Sequence, residues 1–182
     1  MKTDRIVRKW RRIDEPGLEL MTLSRTDDSL HVVSWLVHAG AESFALRYRW
    51  ELDSNWRTRK LQLEAVNVRE KSLTIERTGD ATWRVDGKPR ADLTGCVEVD
   101  VSATPFCNGL AIRRMGGANG ELVALFVDAP ALTCEPSLQR YERLGPRAWQ
   151  YIDKGVSAGF TARLDLDEEG LVAAYEHLFE TI

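Results

Sequence analysis

No run of apolar residues in this 182-residue chain approaches the roughly 18 that a membrane-spanning helix requires. The opening Met1-Lys2-Thr3-Asp4-Arg5 has no apolar core and carries an acid, unlike a secretion signal, so the expected compartment is the cytoplasm. Cysteine is scarce: Cys96, Cys107 and Cys134 are odd in number and show no CxxC spacing, which argues against a disulfide framework or a zinc knuckle. The only histidines, His31, His38 and His177, have no spacing that would place two on one metal, so neither a metal nor another cofactor is implied. Charge of one sign is lacking too. With 25 Lys and Arg against 28 Asp and Glu, and no basic cluster, the chain does not present a nucleic-acid surface. Repeats and low-complexity segments are absent. The length suits one domain, residues 1–182, built on one core.

What is present is alternation with period two, the mark of half-buried strands. In His31 to His38 the apolar parity is Val33, Trp35, Val37; in Glu42 to Asp53 it is Phe44, Leu46, Tyr48, Trp50, Leu52; in Trp56 to Val66 it is Leu61, Leu63, Ala65. Two-residue turns at Ala39-Gly40 and Ser54-Asn55 would set Trp35 opposite Phe44, Val33 opposite Leu46, Tyr48 opposite Leu61 and Leu46 opposite Leu63. That register predicts an antiparallel meander with one continuous apolar face.

Further along, Ser72 to Arg77 and Ala81 to Val85 pair across Thr78-Gly79-Asp80, aligning Ile75 with Trp83 and Leu73 with Val85. Val97, Val99 and Val101 mark another strand. Leu110 to Met115 and Glu121 to Asp128 read as a hairpin across the Asn119-Gly120 turn. Leu122 to Val127, apolar throughout, is expected to be covered on both faces at the centre of the sheet. Phe160 to Leu166 and Leu171 to Tyr175 form a last hairpin, with a short terminal helix as the rival reading. Strands at roughly ten-residue intervals predict an all-β barrel, roll or sandwich with little helix.

Three local patterns touch chemistry. Gly155-Val156-Ser157-Ala158-Gly159 matches the GxSxG nucleophile elbow, but a strand-like segment follows where a helix is required, so a flexible loop is expected. Asp165, Asp167, Glu169, Gly170 and Glu176 fall at EF-hand spacings, yet the incoming segment alternates as a strand, which favours a solvated acidic turn. Glu98 and Asp100 share one strand face and could serve as an acid and base pair, but two acids on the wet face of a strand are usually only solvated, and nothing nearby singles them out. Arg57 and Arg59 fall on the apolar parity, opposite Leu52 and Trp50. They either stack and snorkel at the core's rim or meet an anionic or sugar headgroup whose tail lies inside; Arg113 and Arg114 offer a similar, weaker case.

The blocks Trp56-Arg57-Thr58-Arg59, Trp83-Arg84-Val85-Asp86-Gly87, Leu93 to Asp100, Thr104-Pro105-Phe106-Cys107-Asn108, Ile112-Arg113-Arg114, Gln139-Arg140-Tyr141 and Asp167 to Val172 resemble, in this order, the bacterial glycolipid-binding family, formerly a domain of unknown function. The resemblance runs from about Leu30 to Phe179. It implies a single-domain, antiparallel spiral β-roll, a half-barrel similar in shape to bacterial lipoprotein carriers, and no catalytic residue. The expected function is therefore non-enzymatic binding of a lipid or glycolipid. Its apolar tail would lie among Trp35, Phe44, Leu46, Trp50 and Leu61, and its headgroup would meet Arg57, Arg59, Arg113 and Arg114. A small-molecule hydrolase in the roll cavity and a protein-interaction module are the alternatives.

Overall fold

The computed structural model describes residues 5–66 and 71–182. The strands are β1 (Arg5–Arg12), β2 (Gly17–Arg25), β3 (Ser29–His38), β4 (Phe44–Asp53), β5 (Thr58–Val66), β6 (Lys71–Arg77), β7 (Trp83–Val85), β8 (Lys88–Pro89) and β9 (Glu98–Val101). After the helix α1 (Phe106–Arg114) come β10 (Gly120–Asp128), β11 (Thr133–Arg143), β12 (Ala148–Asp153), β13 (Thr161–Leu166), β14 (Val172–Tyr175) and β15 (Phe179–Thr181). They form one open sheet in the order β8 to β1, then β15 to β9, so the first strand zips onto the last. The fold is mainly β, a half-barrel with one α-helix and one short 3-10 helix, Ala91–Leu93, among the described residues.

The inward faces follow the period-two pattern. Phe44, Leu46, Tyr48, Trp50 and Leu52 of β4 and Leu61, Leu63 and Ala65 of β5 are all buried. Their register differs from the expected one by two residues: Tyr48 faces Leu63 and Trp50 faces Leu61. A bulge at Glu51/Leu52 causes a further change, because it turns Thr58 inward, where its Oγ1 accepts from Trp50 Nε1 at 2.7 Å. Arg57 and Arg59 are consequently exposed and do not lie on the apolar face. In the next hairpin Ile75 faces Val85 and Arg77 faces Trp83, again two residues from expectation and on the expected face.

β3 runs with the opposite parity. Leu30, Val32, Ser34, Leu36 and His38 point inward, while Val33, Trp35 and Val37 point out, and Trp35 faces Arg47 where Phe44 was expected. Both parities of this strand are rich in apolar residues, so alternation alone does not choose between them. The turn decides: residues 39–43 make a longer connection than two residues, which pairs His38 with Phe44 and Leu36 with Leu46.

The segment from Leu110 to Met115 is not a strand. As far as Arg114 it belongs to α1, which carries the chain from β9 to β10 and makes their pairing the parallel one. Every residue from Phe106 to Ile112 is buried, as expected of a helix enclosed on all sides. Phe106 meets the Trp50 ring edge-on, 5.4 Å between centroids, so the helix fills the roll where a cavity was expected. Gly109 permits this: a Cβ there would lie 2.8 Å from the Gly170 carbonyl oxygen. β10 is covered on both faces over part of its length but lies one strand from the sheet's edge, not at its centre. Between β8 and β9 the chain crosses from one edge to the other. It is tied down by Trp83 Nε1 donating to the Cys96 carbonyl (2.8 Å) and Arg77 Nη2 donating to that of Val97 (2.9 Å).

Candidate functional site

A cavity of about 210 Å³ opens between α1 and the C-terminal strands, lined among others by Asp100, Asn108, Tyr151, Asp153, Phe160 and Tyr175. Register builds it. β11 and β12 place Tyr141 opposite Tyr151 and Gln139 opposite Asp153, all four on the inner face. β13 to β15 then bring Tyr175 and Phe179 opposite one another. The aromatic rings form a connected wall: Tyr151 lies 6.2 Å from Phe160 and 6.1 Å from Tyr175, and Tyr175 6.2 Å from Phe179.

Two carboxylates sit within this wall. Asp100 Oδ1 accepts from Cys107 Sγ at 2.9 Å and Oδ2 from Gln139 Nε2 at 2.5 Å; Tyr141 hydroxyl donates to Gln139 Oε1 and Asn108 Nδ2 to that hydroxyl in turn. Asp153 accepts from the Gly155 backbone N–H (2.7 Å) and the Tyr151 hydroxyl (3.1 Å). Burial pushes the Asp100 carboxyl above its usual range, the bonds from Cys107 and Gln139 oppose that, and the charge of Asp153 adds to it. Burial, with Asp100 beside it, holds the Cys107 thiol well above its ordinary value, so it stays protonated and serves as a donor, not a nucleophile. Each carboxylate oxygen thus has one donor and an acceptor position to spare. The Tyr175 hydroxyl has no hydrogen-bond partner among the described residues.

Residues 7–181 match the model of a family described as "Putative glycolipid-binding". The chain belongs to that family. A crystal structure of a DUF1089 family protein from Pseudomonas aeruginosa is similar at 31% identity, with a TM-score of 0.76 over 90% of this chain and 92% of that one. No curated protein matches. No helix among the described residues is long and apolar enough to cross a membrane.

In this member of the family the residues expected at the site are dispersed. Phe44, Leu46, Trp50 and Leu61 are packed in the core at 5% exposure or less, and Trp35 stands on the opposite face at 55%. Exposed Arg57 reaches Asp80 at 3.4 Å. Arg114 lies 4.0 Å from Glu98, which is buried against Arg77 as well, so Glu98 and Asp100 serve separate networks. Arg113 lies over the ring of Trp56, 4.1 Å from its centroid. That pair borders a second groove of about 410 Å³ with Arg143 and Trp149. Asp167 and Glu169 of the acidic turn are each bonded to Arg8 at 2.7 Å, with Asp167 also capping the Leu171 N–H.

The GxSxG segment is a loop between two strands, and Ser157 within it lines the cavity. No histidine lines that cavity. Gly155 lets the loop lie against β11, since a Cβ there would meet the Leu138 backbone nitrogen at 2.7 Å. Gly155→Ala is therefore expected to displace the loop and cost about 1–3 kcal/mol in urea unfolding. An unchanged midpoint would show that the loop accommodates the methyl group. Neither β11 nor β12 was anticipated from the sequence. The nearest signal was Gln139-Arg140-Tyr141 among the family-like blocks.

Proposed function

We propose that this protein binds the sugar headgroup of a glycolipid in the cavity between Asp100 and Asp153, without transforming it. The supporting observation is a pair of acceptor carboxylates set in a wall of aromatic rings. Sugar hydroxyls donate to carboxylates in short, charge-assisted bonds, and the apolar faces of sugar rings lie against aromatic faces. Size points the same way. A cavity of about 210 Å³ lies below the roughly 300–1,000 Å³ of drug-sized sites, so it suits a single ring and not an acyl chain. With α1 inside the roll, the tail stays outside the protein's core.

Calorimetric titration with methyl and octyl glycosides below their micelle concentrations tests the reading. Both should bind with similar affinity, and Tyr175→Phe should weaken both about 5–10-fold while leaving the fold intact, the effect of one hydrogen bond. Tighter binding of octanol than of either glycoside would defeat it. Arg113 over Trp56 favours a second reading, an anionic headgroup in the other groove. Loss of binding in Arg113→Gln but not in Tyr175→Phe would select that groove.

A further inference from the structure

On β2 and β3 the usual distribution of polarity is reversed. Glu19, Ser34 and His38 are buried inside, whereas Leu18 (56% exposed), Leu20 (50%), Val33 (40%), Trp35 (55%) and Val37 (53%) face out, joined by Val7 (43%) of β1. They are neighbours: Leu18 pairs with Val37 and Leu20 with Trp35, and Val33 and Val7 both pair with Thr22. Single exposed apolar residues need no explanation, but six side by side on one sheet face do.

The charges around the patch have a pattern. Beside the patch its two flanking strands are basic, with Arg5, Lys9 and Arg11 on β1 and Arg47 and Arg49 on β4, where the acids Glu51 and Asp53 come only towards the strand's end. Arg11 is paired with Glu180 and Arg47 with Glu64; Arg5, Lys9 and Arg49 make no ion pair among the described residues. The turns at its two ends are acidic, with Glu15, Glu42 and the Arg12-paired Asp14 at one and Asp27 and Asp28 at the other.

We infer that this face binds a second copy of the chain, the two sheets crossing at nearly a right angle. If the strands of the two copies were aligned, basic flank would meet basic flank and acidic turn would meet acidic turn. Rotated by about 90°, as in orthogonal sheet packing, each flank covers an acidic end of the partner. A twofold axis lying in the face at about 45° to the strands produces this arrangement and makes every contact reciprocal. An anionic membrane is a poorer fit, because it would also meet the acidic turns of a chain whose net charge is -3. Four strands about 4.8 Å apart and seven residues at about 3.3 Å each span only about 400 Å² in projection, so the dimer is a weak one. The inference is independent of the headgroup cavity, which lies on the inner face.

Sedimentation velocity across the micromolar range tests it, with thermal unfolding as the control for folding. The wild type should dimerise, and raised salt should weaken the dimer. Trp35→Ser should be monomeric, with Tyr175→Phe unchanged. Lys9→Glu and Arg49→Glu should each weaken association at least tenfold, and adding Asp27→Lys and Asp28→Lys should restore it in one of these two backgrounds. A wild type monomeric throughout, a dimer that survives Trp35→Ser, restoration in neither background, or a monomer that binds anionic vesicles through Trp35 would each overturn the inference.

Discussion

Glu19→Gln is expected to stabilise the protein by about 2–3 kcal/mol at pH 8 and by no more than about 1 kcal/mol at pH 5. Glu19 lies on the inner face of β2, where Oε1 accepts from the hydroxyls of Ser34 (2.7 Å), Tyr48 (2.7 Å) and Thr104 (3.0 Å) while Oε2 has no partner. Burial drives its carboxyl up to about 7 from 4.5, against the opposing pull of the three hydroxyls. Between these values the folded protein keeps a proton that the unfolded chain releases. The contribution to stability is complete below about pH 4.5 and is lost as pH rises through 7. Burial raises Glu98 and Asp100 as well, so the wild-type profile slopes down for several reasons. Those two acids remain in the variant, and the difference between the profiles isolates Glu19. Glutamine preserves an oxygen for the hydroxyls of β3, β4 and the turn before α1 and removes the buried charge; the amide NH2 that replaces the unpartnered Oε2 costs the same at both pH values and cancels in the comparison between them. Urea midpoints at pH 5 and pH 8 are the measurement. A variant less stable than wild type at pH 8 would mean that the hydroxyls favour the carboxylate more than burial opposes it.

Glu19 also explains where the sequence was legible and where it was not. β4 and β5 could be read because one parity is apolar and the other polar, so alternation identified their inner faces even with the register two residues out. β3 could not, since Leu30, Val32 and Leu36 compete with Val33, Trp35 and Val37. The longer turn that brings Ser34 inward, and the acid 15 residues earlier to which it then donates, both lie outside the strand's own pattern. β1 and β2 are hidden for the same reason: Leu18 and Leu20 face out while Glu19 faces in. α1 lacks a polar face and holds Asn108 and Gly109, which weaken a helical signal; they are tolerated because the helix is enclosed and passes close to the Gly170 carbonyl. The cavity had no local signature. Asp100 is visible as an acid on a strand, but its neighbours Asp153 and Tyr175 come from strands brought together by pairing over long stretches of sequence.

Phe106→Ala is expected to cost about 3–5 kcal/mol, the usual penalty for emptying a buried aromatic site, and the cost decides how the interior of the roll is used. Phe106 is fully buried and lies edge-on to Trp50 at the place where an apolar tail was expected from the sequence. If the core is as closely packed as a protein interior should be, it will relax only partly. The truncated site would then be a dry cavity able to take benzene or xenon. Unfolding in urea, with and without benzene, reads both effects: the midpoint should fall in the variant and recover in part with the probe, while the wild type should not respond. The opposite result would also be informative. A loss below about 1 kcal/mol with no response to benzene would mean that the strands and α1 close over the gap easily, and an interior that closes so easily could also open. A tail displacing the helix would then compete with the arrangement in which the tail remains outside and only the headgroup enters between Asp100 and Asp153.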